Sequence, residues 1–174
     1  MTDELLVVRA QLGDRTALAE MVARWRVPVW RYVQRMLDAD RADDVSQEIW
    51  LAVVRGLPRL REPTRFAPWL FAIARRSVVD RLRTEYAAAP ETPVRDDRCV
   101  EDLSETVVAR AELVGALTSL PVLEREILVL HYLEDLSVQD CAHICRVPVG
   151  TVKSRLNRAR RLLREHLSEK GYQS

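Results

Sequence analysis

The chain has 174 residues, of which 48% are hydrophobic and 30% are charged, a composition typical of globular domains rather than disordered segments. No apolar run approaches the roughly 18 residues that a membrane-spanning helix needs, and the acidic start Met1-Thr2-Asp3-Glu4 is unlike that of a signal peptide. The three cysteines lack metal-site spacing and fit a reducing compartment. Only five glycines are present, which argues against sheets and against a Gly-rich phosphate loop. We therefore expect a helical, cytoplasmic protein without membrane contact of its own.

The charges are unevenly distributed along the chain. The total of 27 basic and 26 acidic side chains is nearly neutral. Residues 1–83 nevertheless carry 15 basic and 11 acidic groups, whereas residues 84–112 carry 3 and 8. Between Arg146 and Arg164 there are seven cations and no acid. The neutral total therefore conceals a concentrated basic stripe downstream of an acidic segment.

Residues 1–83 predict a domain of four helices, because apolar side chains recur at helical spacing between helix-breaking residues. Thr16 is expected to cap the second helix, and Asp43 or Asp44 the third. Pro28 is expected to bend the second helix. The four helices are expected over residues 5–11, 16–37, 44–55 and 68–83.

Residues 84–112 are predicted to form a flexible acidic linker, because this segment opens with two prolines, small residues and acids and lacks a periodic apolar face. Residues 113–174 predict a second helical domain. Pro121 suits a first helical turn, and Ser137 begins an S-x-x-D capping box. Helices are expected over residues 121–133, 138–145 and 149–167. The predicted fold class is therefore all-α, with two small helical domains joined by a flexible linker.

The last predicted helix carries the basic stripe. A short helix, a tight turn and this longer helix have the dimensions of a helix-turn-helix. The face that packs consists of Val152, Leu156, Ala159 and Leu163. The remaining surface carries Thr151, Lys153, Ser154, Arg155, Asn157, Arg158, Arg160, Arg161 and Arg164. A merely solvated surface helix usually interleaves acids for i,i+4 pairing, and their absence here favours contact with DNA.

The third predicted helix presents apolar groups on two sides. The core arc consists of Val45, Ile49, Ala52 and Val53. The opposite side carries Asp44, Gln47, Glu48, Trp50, Leu51 and Val54. Apolar groups edged by carboxylates suggest that a protein partner contacts this outer side. Packing of Trp50 on another helix of its own domain is an equally good interpretation.

The loop after the third helix mixes arginines with aromatic residues, and the following helix adds more arginines. The loop contributes Arg59, Arg61, Arg65, Phe66 and Trp69, and the helix contributes Arg75, Arg76, Arg81 and Arg83. Charge and stacking of this kind can hold an unstacked nucleic-acid strand. The spacing of Phe66 and Trp69 favours a place in the core, so the arginines are the preferred nucleic-acid contacts.

Catalysis finds little support in the sequence. The three histidines are scattered, and no serine or cysteine stands in a recognisable nucleophile motif. Cys141 and Cys145 are interpreted as small core residues and not as zinc ligands. We therefore predict that the protein is not an enzyme and needs neither metal nor cofactor.

Three motifs resemble, in the right order along the chain, those of bacterial extracytoplasmic-function (ECF) sigma factors of the sigma-70 family. The sequence DVSQE at residues 44–48 resembles the family's motif for binding core RNA polymerase. The sequence FAPWLFAIAR at residues 66–75, with Asp80 and Arg83, resembles its promoter-melting segment. The sequence VPVGTVKSRL at residues 147–156 resembles its C-terminal helix-turn-helix.

The resemblance implies a promoter-specificity factor for RNA polymerase, controlled by an anti-sigma factor. The first domain is implied to dock on the β′ subunit through Asp44, Gln47, Glu48, Trp50 and Leu51. It is implied to recognise and melt the minus-10 element of promoter DNA through Leu60, Arg61, Thr64, Arg65, Arg75, Arg76, Asp80 and Arg83. The second domain is implied to sit on the β subunit and read the minus-35 element through Thr151, Lys153, Ser154, Arg155, Asn157, Arg158 and Arg161.

The chain departs from the family pattern at Arg76, at Arg146 and at residues 139–142, where QDCA replaces the usual acidic-acidic-Ile-Ala, and two other functions stay open. Arg76 stands where Asn is common, and Arg146 replaces a small turn residue that is often Gly, so Arg146 is expected to adopt a positive φ. An ordinary helix-turn-helix repressor or activator that never joins polymerase is the main alternative. A metal-dependent nucleic-acid enzyme using Asp43, Asp44 and Glu48 is a more remote one.

Overall fold

The computed structural model describes residues 2–37, 39–88 and 115–169, and regular structure in these ranges is entirely helical. The main helices are α1 (Asp3–Gln11), α2 (Arg15–Met36), α3 (Ala39–Gly56), α4 (Phe66–Ala88), α5 (Val122–Leu128), α6 (Val138–Cys145) and α7 (Val149–Glu169). Two 3-10 turns, Leu57–Arg59 and Pro63–Arg65, connect α3 to α4. Residues 115–118 are also helical, and Val129–Leu133 continues α5 as a π-helix. None of the described helices combines the length and apolar character needed to span a bilayer.

The start of α2 differs from the prediction, because Asp14 and not Thr16 provides the cap. The Asp14 carboxylate accepts the backbone N–H groups of Thr16 at 2.9 Å and Ala17 at 3.1 Å. The N–H of Ala17 and the guanidinium of Arg9 hold the pKa of Asp14 below its ordinary value. The cap is therefore charged at neutral pH, which suits the positive end of the helix dipole.

The start of α3 also lies earlier than predicted. The helix begins at Ala39, so Asp43 and Asp44 lie in its second turn and cap nothing. Asp43 has a tertiary partner instead, since its carboxylate accepts the indole N–H of Trp30 on α2 at 2.7 Å. The sequence contains the right type of capping residue, but contact with another helix gives it a different use.

The fourth helix is longer than predicted at both ends. It begins at Phe66, which places Pro68 in the first turn, where a missing backbone N–H costs nothing. It continues to Ala88, so residues 84–88, assigned to the linker above, are helical. The rest of the predicted linker, residues 89–112, lies outside the described part of the chain, as does Cys99.

Aromatic rings at the junction of α2 and α4 form the centre of the first domain. Phe71 lies edge-on to Trp25 with a centroid separation of 6.2 Å and to Tyr32 with one of 5.6 Å. Phe66 also packs edge-on to Trp25, and it is buried, so its predicted place in the core is confirmed. Edge-to-face pairs of this kind add stability beyond the area that they bury.

The second domain packs α5 and α6 against the apolar face of α7. Val152, Leu156 and Ala159 are buried, as the helical spacing predicts. Cys141 and Cys145 are buried in the same domain, which confirms their interpretation as core residues. Burial raises the pKa of the Cys141 thiol to about 11 and that of Cys145 to about 12. Both thiols are therefore protonated at neutral pH.

The two domains contact each other directly. In the first domain α2 and α4 provide the contact surface, and in the second domain α5, its π-helical continuation and α6 do so. Buried apolar residues of both domains belong to one continuous cluster. The domain boundary therefore has its own apolar packing.

Replacing Phe71 by Ala is expected to destabilise the first domain by about 3–5 kcal/mol, because a large aromatic contact is replaced by a cavity. Urea unfolding followed by tryptophan fluorescence measures the effect, since all four tryptophans precede residue 84. Phe71→Leu is the matched control and keeps most of the volume. A loss below about 1 kcal/mol for the Ala variant would show that this ring cluster is not the centre of the core.

Candidate functional site

The side of α3 that faces away from the core combines apolar and acidic side chains. Leu51 is 52% exposed and Val54 is 45% exposed, although buried residues of the same helix fill the core. The exposed polar positions beside them are Asp44, Gln47 and Glu48. We call Asp44, Gln47, Glu48, Leu51 and Val54 the α3 outer face. Exposed aliphatic side chains bordered by carboxylates are typical of a surface that binds a protein partner.

Trp50 does not belong to this exposed surface. It is half-buried and packs against the core of its own domain, which supports the intramolecular interpretation of this residue. One acid of the α3 outer face forms an ion pair with the neighbouring helix: Arg81 on α4 lies 3.4 Å from the Glu48 carboxylate. The exposed ion pair orients Glu48 but adds little stability.

The loop between α3 and α4 is fixed by a side chain that the sequence analysis missed. The amide of Gln11, at the end of α1, donates to the carbonyl oxygens of Leu57 at 2.9 Å and Leu60 at 2.7 Å. Leu60 itself packs against the core, whereas Arg61 and Thr64 are exposed. The loop therefore presents Arg61 and Thr64 from a fixed backbone. Sequence spacing gives no signal for a contact between residues 46 and 49 positions apart.

The predicted nucleic-acid residues of α4 fall into two groups. Arg76, Asp80 and Arg83 are exposed, with Arg76 lying 3.8 Å from Asp80 in an i,i+4 pair. Arg75 points instead to the second domain, where its Nε lies 3.0 Å from the Glu126 carboxylate. In the preceding turn, Arg65 lies 3.0 Å from Asp140 on α6.

The polar side of α7 is presented largely to solvent. Lys153, Ser154, Asn157, Arg158 and Arg161 are exposed, and Thr151 and Arg155 are half-buried. Arg158 lies 3.4 Å from the buried Glu124 on α5, an anchor that the sequence analysis missed. Arg160 lies over the ring of Tyr132 at 5.5 Å, a cation–π contact that uses this arginine within the domain.

The turn between α6 and α7 has the backbone conformation expected from its sequence. Arg146 adopts φ 55° and ψ 46°, which is the left-handed region. The backbone N–H of Val147 donates to the carbonyl of Ala142 at 3.1 Å, which closes the end of α6. At the other end of α6, the Ser137 hydroxyl accepts the N–H of Asp140 at 3.0 Å, as the capping box predicts. Both ends of α6 are therefore closed by hydrogen bonds.

The described residues show no group of three or more His, Cys, Asp or Glu side chains that could hold a metal ion. The exposed surfaces comprise one apolar and acidic face on α3 and basic faces on α4 and α7.

Comparison with known proteins defines the class. Residues 21–87 match the model of sigma-70 region 2, and residues 110–163 match that of sigma-70, region 4. The ECF RNA polymerase sigma factor SigC of Mycobacterium tuberculosis is 34% identical over 89% of this chain and 85% of its own length. The ECF RNA polymerase sigma-E factor of Escherichia coli K12 is 30% identical over 92% of this chain and 91% of its own length.

Solved structures agree with this class. CnrH, in complex with the cytosolic domain of CnrY, matches with a TM-score of 0.73 and 25% identity over 96% of this chain and 97% of that chain. The sigma factor RpoE of Bartonella quintana shares the fold, with a TM-score of 0.70 over 87% of this chain and 96% of that chain. This chain belongs to the ECF sigma factors of RNA polymerase. Sigma factors direct promoter-specific initiation and are not enzymes, so neither alternative function applies.

Replacing Arg146 by Gly is expected to stabilise the second domain by about 0.5–1 kcal/mol, because glycine adopts the left-handed conformation without steric cost. Urea unfolding of the second domain is followed by far-UV circular dichroism. Tryptophan fluorescence does not report this transition, because all four tryptophans lie in the first domain. Arg146→Ala is the control, since it removes the same charge and keeps the strain. Equal stabilisation by Ala and Gly would show that charge, and not backbone strain, limits this turn.

Proposed function

We propose that the α3 outer face docks on the β′ subunit of core RNA polymerase. The observation that carries this proposal is the exposure of Leu51 and Val54 beside Asp44 and Glu48, on a helix whose opposite side already fills the core. A helix presenting both apolar and charged groups gives affinity through the former and orientation through the latter. Trp50, on the same helix, is half-buried and packs against the core. A protein that binds core RNA polymerase to initiate transcription would be located in the cytoplasm.

The loop and α4 would recognise and melt the minus-10 element. Arg61, Thr64, Arg76 and Arg83 are exposed on the fixed loop and along one helix, which suits contacts with an opened strand. Leu60 packs at the base of this surface, and Asp80 orients Arg76. Arg65 and Arg75 would join them once they leave their present acidic partners.

The second domain would sit on the β subunit and read the minus-35 element with α7. The buried apolar face of α7 fixes its orientation, and its exposed surface carries the polar groups suited to duplex DNA. These are Thr151, Lys153, Ser154, Arg155, Asn157, Arg158 and Arg161. Arginines and hydroxyls on the first turns of such a helix can reach both base edges and phosphates.

An anti-sigma factor would control access to these surfaces. CnrH, which is similar over nearly the whole chain, is bound to the cytosolic domain of CnrY. We propose a corresponding protein partner here, and the exposed aliphatic groups Leu51 and Val54 give it an apolar surface to cover.

Binding of the full chain to core RNA polymerase from the source bacterium tests the proposed docking face. The double variant Asp44→Arg/Glu48→Arg is expected to bind at least about tenfold more weakly, because it reverses the charge that complements the partner. Glu4→Arg is the matched control, since it reverses an exposed acid on α1. The affinity is measured by fluorescence anisotropy of labelled protein titrated with core polymerase.

The same titration contains the result that would refute the docking face. If the double variant and the Glu4→Arg control bind core polymerase as tightly as the original chain, then another surface makes the contact.

A further inference from the structure

The amide of Gln11 connects the first helix of the chain to the loop between α3 and α4. Its Nε2 atom lies 2.9 Å from the carbonyl oxygen of Leu57 and 2.7 Å from that of Leu60. A primary amide has two N–H donors, and both are used on this one loop. We call Gln11 and these two carbonyl groups the Gln11 clamp.

The backbone that carries Gln11 is itself fixed. Gln11 is the last residue of α1, and the chain turns directly after it through Gly13, which adopts φ 90°. Glycine adopts such a positive φ without steric cost. The N–H of Gly13 donates to the carbonyl of Ala10 at 3.0 Å, and Nε of Arg9 donates to the Asp14 carboxylate at 2.9 Å. The end of α1 is therefore held against the start of α2, and Gln11 reaches the loop from a fixed support.

The loop is also fixed at both of its ends. Gly56 ends α3 and lies so close to the ring of Trp69 that an added Cβ would be 3.0 Å from Cζ2. Leu57 is buried at the start of the loop, and Phe66 is buried where α4 begins. Between these ends, the N–H of Leu60 donates to the carbonyl of Leu57 at 3.1 Å. The Gln11 clamp therefore fixes the middle of a loop whose ends are already packed.

The residues that follow the Gln11 clamp carry exposed side chains. Arg61 comes directly after Leu60, and Thr64 lies in the next turn, Pro63–Arg65, which also contacts α1. A long side chain on a loop has many rotamers, and a fixed backbone limits the region that it reaches. Hydrogen bonds to base edges carry sequence information, whereas contacts with phosphate do not. A change in the position of this backbone would therefore affect base recognition first.

We propose that Gln11 is a positioning residue for recognition of the minus-10 element: its two hydrogen bonds place the backbone from which Arg61 and Thr64 contact the opened DNA strand. The proposal rests on the assignment of this loop to the minus-10 element made above. Gln11 acts through the loop and is not itself a DNA contact. Because the two carbonyl groups can bind water when the amide is removed, losing the clamp changes the position of the loop more than the stability of the domain.

Three variants separate the hydrogen bonds from other properties of these positions. Gln11→Met keeps an unbranched side chain of similar length and helix propensity but has no N–H donor. Gln11→Lys restores donors at the end of an unbranched side chain. Glu4→Gln is the matched control, because it changes an exposed residue near the other end of α1.

Amide hydrogen exchange of the free full chain, followed by mass spectrometry of peptides from the loop, is the first readout. Gln11→Met is expected to raise the exchange rate over residues 57–65 at least about fivefold, since loss of the two hydrogen bonds favours local opening. Gln11→Lys and Glu4→Gln are expected to exchange as the original chain does. Unchanged exchange in Gln11→Met would overturn the clamp. Exchange in Gln11→Lys as fast as in Gln11→Met would also overturn it, because the donors would then have no effect.

The second readout is the sequence preference of the chain bound to core RNA polymerase. The probe is a pool of promoter-length duplex DNA randomised in an upstream and a downstream block, and the DNA retained by the complex is sequenced. The original chain is expected to enrich one motif in each block. Gln11→Met is expected to reduce the preference in the downstream block at least about fivefold and to leave the upstream motif, assigned to α7, unchanged. The upstream motif reports that the variant is folded and bound to polymerase.

The two blocks distinguish the positioning role from the function on which it rests. No downstream motif with the original chain would refute the assignment of the loop to the minus-10 element, and the positioning role with it. A downstream motif that Gln11→Met enriches as strongly as the original chain does would overturn the positioning role alone. Loss of both motifs would overturn it as well, because the defect would then be one of folding or of polymerase binding.

Gln11→Lys is expected to restore the downstream preference of the original chain. Preference and not affinity is compared, because an added lysine strengthens binding to all sequences alike. A preference as weak as that of Gln11→Met would show that an N–H donor at position 11 does not position the loop.

Discussion

One buried carboxylate, that of Glu126, is contacted from both domains at their boundary. Glu126 is buried at a boundary that also has apolar packing, where an unpaired charge would be unstable. Arg75 and Tyr32 reach it from the first domain, and Cys145 contacts it within the second. Because a buried ion pair barely repays its loss of hydration, such a contact specifies an arrangement more than it stabilises one. It can therefore hold two domains together and still allow them to part.

Two arginines, one in α4 and one in the turn before it, also connect the two domains. Arg75 and Arg65 contact carboxylates of the second domain, and both belong to the surface assigned to promoter DNA. A guanidinium binds carboxylate and phosphate with similar geometry. In the proposed function, DNA phosphate would therefore compete with Asp140 and Glu126 for these two guanidinium groups. The α3 outer face takes no part in these two ion pairs, and its Leu51 and Val54 are exposed.

Much of the fold could be predicted from the sequence because amphipathic helices carry their burial pattern locally. The spacing of Val152, Leu156 and Ala159 predicts the buried side of α7, and the structure confirms it. The caps of α2 and α3 were predicted wrongly because residues of the same type compete for these positions. Asp14 is better placed than Thr16, and Asp43 binds Trp30.

The boundary between the domains could not be predicted in this way. Tyr32 and Glu126 are 94 residues apart, and no local pattern distinguishes Glu126 from a solvated acid on a short helix. The resemblance to the family motifs implies a DNA contact for Arg75, and it gives no indication of the contact with Glu126. The contact with Glu126 depends on how two folded domains pack, and helical spacing contains no information on that contact.

The most direct test of this account is the distance between the domains before and after promoter binding. Fluorescence energy transfer between dyes attached through azide-bearing amino acids at positions 4 and 165 measures it without altering the native cysteines. We expect efficient transfer in the free chain and its loss in the complex with core polymerase and promoter DNA. Transfer that stays efficient in that complex would contradict the separation of α4 and α7 on which the account is built.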